Sequence, residues 1–170
     1  TQDVLFPGIL VKGEQFPQGE DLFRFLYINQ LKVVNTCMMI RKQVHLDQHL
    51  QFRNTYGNFN VDWDYVLRFS LVSNVNGINR KLVTMNRLKS RDSVTVDKQK
   101  QLNASRQLVK DFKNKFSRLI DNKLYLKAIK TCDKNEIGQH TPLMIIVNGI
   151  YLGIKHHDWW FVNYIIMRSI

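Results

Sequence analysis

The chain has 170 residues, 44% of them apolar, and carries 25 Lys and Arg against 14 Asp and Glu, a net of +11. A chain of this length buries roughly 70% of the surface that its unfolded form exposes, so it needs neither disulfides nor a metal to fold as one domain. Its apolar runs stop at four or five residues, and its two cysteines, Cys37 and Cys132, have no CxxC neighbour, which excludes membrane-spanning, zinc-ribbon and disulfide-framework classes.

The composition has 15 Val and 14 Ile but 2 Ala and 3 Glu, an excess of β-branched residues over good helix formers. Taken in chain order, short apolar runs at 4–11 and 21–28 flank a turn-rich stretch with Gly13, Pro17 and Gly19, and read as strand, loop, strand. Residues 31–40 form a further β-like run. At 43–53, Val44, Leu46, Leu50 and Phe52 fall mostly on alternate positions, although the stretch can also be wound as a helix. Residues 54–64, with Gly57, three Asn and two Asp, read as a loop.

The run at 65–73, the pair Asn76-Gly77 and the run at 78–85 predict a tight hairpin, because Asn-Gly accepts the positive backbone angles of such a turn. A basic loop follows at 86–97. Residues 101–121 carry Leu102, Val109, Phe112, Phe116, Leu119 and Ile120 at three- and four-residue steps, which predicts an amphipathic, cationic helix ending at Asp121-Asn122. Residues 123–130 alternate as a strand with Lys123, Tyr125 and Lys127 on one face. A loop through Gly138 and Pro142 leads to a second hairpin, 143–147 and 150–154 around Asn148-Gly149. Residues 159–167 are apolar on both faces, as a strand or as a buried helix. The expected fold is mainly β with one prominent amphipathic helix (α+β), favouring a small OB-like Greek-key barrel with decorations, in a single domain over 1–170.

The charge is concentrated. Residues 79–130 hold fifteen cations against four carboxylates, a net of +11, whereas the segments on either side cancel to zero. Such self-repulsion suits a polyanion, because neutralising phosphates releases counterions and converts positive charge into affinity. The expected function is a non-enzymatic, weakly sequence-specific domain for single-stranded nucleic acid, DNA before RNA, acting in replication or genome handling. Its expected contacts are Arg80, Lys81, Arg87, Lys89, Arg91, Lys110, Lys113, Lys123, Tyr125 and Lys127, with cations along the backbone and rings stacked on bases. Two alternatives stand beside it: a protein-interaction or homo-oligomeric assembly module, with an acidic protein as a possible partner, and a metal-dependent nuclease in which Asp62 and Asp64 share a strand face and place magnesium.

Other chemistry is poorly supported. His45 and His49 have i, i+4 spacing, and His156, His157 and Asp158 are consecutive, but no HExxH-type carboxylate accompanies either set. No glycine spacing forms a phosphate cradle, and nothing orients a base toward Cys132. No cofactor, catalytic residue, metal or membrane is expected, and an intracellular compartment, nucleus or cytoplasm, fits the charge and the cysteine usage.

Overall fold

The computed structural model describes residues 18–30, 38–75, 97–137 and 142–167. These are 71% helical. In chain order they form α1 (Gly19–Asn29), α2 (Lys42–Asp47), β1 (Thr55–Asn58), α3 (Val61–Ser70), α4 (Lys98–Lys115), α5 (Asn122–Ile137), α6 (Pro142–Lys155) and α7 (Trp159–Met167). The mainly β, OB-like expectation is therefore corrected: among the described residues β1 is the sole strand, and no barrel is present. The chain divides into two compact units, Thr1–Val96 and Asp97–Ile170.

In the first unit, α1 packs on α3. The run at 21–28 is apolar at nearly every position, so periods of two and of 3.6 both fit it. The helix wins because Leu22, Phe23, Leu26 and Tyr27 then share one buried face. Acidic Glu20 and Asp21 lie in its first turn, and Arg24 pairs with Glu20 one turn earlier. On α3, Trp63, Val66, Leu67 and Ser70 are buried at helical steps, and the Trp63 indole N–H donates to the Leu26 carbonyl at 3.1 Å. Arg68 reaches back one turn, its Nε donating to Asp64 Oδ2 at 2.9 Å and its Nη2 to the Gln51 carbonyl at 2.6 Å. The side-chain amide of Gln18 donates to the Val75 carbonyl and accepts from the Val75 N–H, tying the residue before α1 to the segment after α3. The first arm of the expected hairpin at 65–73 thus falls mostly in α3, while its turn and second arm lie outside the described residues.

In the second unit each helix packs on the next, α4 on α5, α5 on α6 and α6 on α7. The helix expected over 101–121 is α4. Asp97 caps it by accepting from the Lys100 N–H at 3.0 Å, and Leu102, Ser105, Leu108, Val109 and Phe112 line its buried face. Asp121, expected to close that helix, opens the next one: its carboxylate accepts from the Leu124 N–H at 2.6 Å. The expected strand at 123–130 is the first half of α5, in which Ala128 is fully buried one turn before the equally buried Cys132.

The expected second hairpin is α6, a continuous helix. Its two glycines serve close packing instead of a turn. A Cβ on Gly149 would meet Ile165 Cγ1 at 2.9 Å, and one on Gly153 would clash with Val162 Cγ2. These pairings, 149 with 165 and 153 with 162, run in opposite directions, so α6 and α7 form an antiparallel αα-hairpin seamed by small residues at i, i+4. Asp158 caps α7, accepting from the Phe161 N–H at 3.1 Å. The β-branched residues that suggested strands fill this helical core, with Ile145, Ile146 and Ile150 packed around Leu152, Phe161 and Ile165. Fully burying such a side chain contributes about 1.5–3 kcal/mol, so even partial burial outweighs the few tenths by which β-branching disfavours a helix.

Candidate nucleic-acid interface

Five of the ten expected contacts, Arg80, Lys81, Arg87, Lys89 and Arg91, lie outside the described residues. The other five fall on α4 and α5. These helices run antiparallel, as Arg106 pairs with Asp133 and Lys113 Nζ donates to the Ile120 carbonyl across the connecting turn at 2.6 Å. That turn, residues 116–121, forms an elbow that gathers Lys110, Lys113, Lys115 and Arg118 from its α4 side and Lys123 and Lys127 from α5.

Lys110, Lys123 and Lys127 are exposed, and among the described residues no ion pair engages them. Lys113 is partly committed through its bond to Ile120, and Lys115 lies 5.5 Å from the centroid of the Phe116 ring. The elbow has two carboxylates, and both have local tasks. Asp121 caps α5, and Asp111 accepts from the Gln107 side chain at 2.8 Å. Six cations against two carboxylates leave this end with a net of +4.

The helix corrects the aromatic part of the expected site. At 100° per residue Lys123 and Lys127 share a face, but Tyr125 lies roughly 160–200° from them, so the two lysines do not bracket the ring. What α5 builds instead is a lysine stripe, Lys123, Lys127, Lys130 and Lys134, at steps of four, three and four.

The far half of that stripe is neutralised within the unit. Asp158, at the turn between α6 and α7, pairs with Lys130 and with Lys134, the latter at 3.2 Å. Lys134 Nζ also stands 4.1 Å from the centre of the Phe161 ring. The hydrogen bond from Lys130 comes first among the causes that lower the Asp158 carboxyl to about 2, helped by the Phe161 N–H and Lys134. Asp133 forms a second hub, paired with Arg106 at 2.9 Å, Lys155 at 3.3 Å and His156 at 3.2 Å. Burial alone would raise its carboxyl, but the bonds from Arg106, His156 and Lys155 outweigh that and hold it below the ordinary aspartate value. Glu136 takes a further bond from Arg106 at 2.5 Å. With Asp97, Lys98 and Lys100 at the start of α4, six cations against four carboxylates leave this end at +2, and all of these cations except Lys98 have a carboxylate partner among the described residues.

Sequence reasoning missed both hubs. Asp158 had a local signal, an aspartate three residues before Phe161 at the start of an apolar run, as an N-cap requires. Asp133 had none on its own, because its partners come from α4 and from the end of α6.

The remaining candidates come apart. On α3, Asp62 and Asp64 are two residues apart on a helix and point roughly 160–200° from each other. Asp64 is buried and tied to Arg68, so the strand face that would have held magnesium does not exist. His45 Nδ1 lies 3.1 Å from the Tyr65 hydroxyl, whereas His49 lies beyond the end of α2 with φ +47°. Cys132 is fully buried, and its neighbour Lys130 is committed to Asp158. Among the described residues no three His, Cys, Asp or Glu side chains gather as a metal site, and no helix is long and apolar enough to cross a membrane.

The chain matches no family model, no curated protein and no solved structure. The functional reading therefore rests on its own geometry and charge.

Proposed function

We propose that this chain is a non-enzymatic nucleic-acid-binding protein that grips the phosphate backbone with the α4–α5 elbow. The supporting observation is the polarity of the second unit's charge. Cations near Asp133 and Asp158 are spent on internal carboxylates, while Lys110, Lys123 and Lys127 at the elbow face solvent. Free cations on adjoining helical faces release counterions when they meet phosphates, whereas paired ones must first break an internal bond. Phosphate contacts carry no base identity, so the reading includes weak sequence preference. It includes no stacking by Tyr125.

Fluorescence anisotropy with labelled single-stranded and duplex oligonucleotides, DNA and RNA in separate arms, tests the proposal. Affinity is expected to fall steeply between 50 and 200 mM salt, with a logarithmic slope of roughly −2 to −3.6 for three or four neutralised phosphates. Binding that ignores salt, or none with any of the four probes, would overturn it. The relative affinities of the four arms identify the preferred nucleic acid.

A further inference from the structure

We infer that the outer face of the α6–α7 hairpin is a self-association surface that seats the same face of a second copy of this chain. Apart from Asn148 and the terminal Lys155, α6 is apolar on every side. Gly149, Leu152 and Gly153 are buried against α7 and its core, and on the opposite side Leu143, Val147, Tyr151 and Ile154 stand exposed, Leu143 at 70% and Tyr151 at 66%. A helix that is apolar on every side is one that becomes covered on every side. On α7, Trp159 and Trp160 are 62% and 72% exposed.

Size supports a macromolecular occupant. Ten large apolar side chains spread around the outward sides of the two helices keep between 38% and 76% of their surface in solvent, on the order of 1,000 Å² in total over those sides. The largest apolar patch on an ordinary monomer is about 300–600 Å², and a stable complex needs about 800 Å² from each partner.

Charge identifies the occupant. The exposed positions of this hairpin, apart from Lys155, carry no charged side chain. The cations nearest to it, Lys130, Lys134 and Lys155, are already paired with Asp158 and Asp133. A face so neutralised offers nothing to an acidic protein or to anionic lipid headgroups. It allows two copies of a strongly basic chain to meet without placing like charges opposite one another, and a two-fold arrangement needs one self-complementary patch. At 14 residues, α6 is about 21 Å long, short of the ~30 Å hydrocarbon layer.

The test is sedimentation velocity on the full chain, freed of nucleic acid by nuclease treatment, over a hundredfold range of concentration. A concentration-dependent dimer is expected, with a blue shift of tryptophan emission as Trp159 and Trp160 become covered. Val147→Lys combined with Tyr151→Lys should raise the dimer dissociation constant at least about tenfold, with the far-UV circular dichroism of the wild type. If that pair unfolds, the milder Tyr151→Ser should still weaken the dimer. A wild-type chain that stays monomeric at the highest concentration overturns the inference, as does a dimer indifferent to the folded variants. A monomer that floats with phosphatidylcholine–phosphatidylserine vesicles overturns it in favour of lipid. Oligonucleotide binding is measured on the same variants, so failure of self-association and failure of the elbow reading remain distinct.

Discussion

Asp133 accepts bonds from Arg106 on α4 and from Lys155 and His156 at the end of α6, so one carboxylate holds three elements. Its side chain is almost wholly buried, and removing its charge leaves Arg106 and Lys155 facing one another. Asp133→Asn should therefore destabilise the chain by about 1–3 kcal/mol, read as a lower urea midpoint, whereas the same change at half-buried Asp111, which has no ion pair among the described residues and accepts from Gln107, should have little effect. Asp158 gives a pH signature. Its carboxyl falls from 3.8 to about 2 on folding, so its contribution is complete above the unfolded value and disappears as the pH falls through the folded one. The urea midpoint should decline between about pH 5 and pH 2. Asp158→Asn should be less stable at neutral pH and show a shallower decline across that window, and an unchanged pH profile would contradict the pairing with Lys130.

At the scale of elements, the glycine seam between α6 and α7 makes the clearest demand. Gly153→Ala adds helix propensity worth about 1 kcal/mol but drives a methyl into Val162 and against the Asp158 carbonyl at 3.3 Å. Overpacking of that kind costs about 1–3 kcal/mol, so the net effect is expected to be destabilising by thermal denaturation. Val162→Ala in the same chain should recover part of the loss, giving a non-additive double-mutant cycle. This element also shows why local pattern misleads. Asn148-Gly149 between two apolar runs has the same appearance as a hairpin turn, and only the partner helix further along the chain reveals that the missing Cβ makes room for Ile165. α4 was legible because its two faces differ. α6 and α7 were not, because they are apolar on almost every side and erase the periodicity that separates helix from strand. Some cues lay in view at α1 and α5: Glu20 one turn before Arg24, and lysines at steps of four, three and four.

At the scale of the molecule, the concentration of charge over 79–130 was legible from counting alone, but the distribution of its partners was not. Lys123 and Lys127 look the same in sequence as Lys130. Only the fold brings Asp158 to Lys130 and Lys134 and leaves the other two exposed. The second unit thus separates three properties in space: a cationic elbow, a neutralised ladder and an uncharged apolar hairpin. The most direct measurement of the central claim is the salt dependence of oligonucleotide binding by a Lys123→Gln, Lys127→Gln chain beside the wild type, with helicity and urea midpoint recorded for both. An intact fold is expected, with weaker binding and a logarithmic salt slope shallower by roughly 0.7–0.9 for each phosphate that the variant no longer neutralises. An affinity and slope indistinguishable from those of the wild type would contradict that claim.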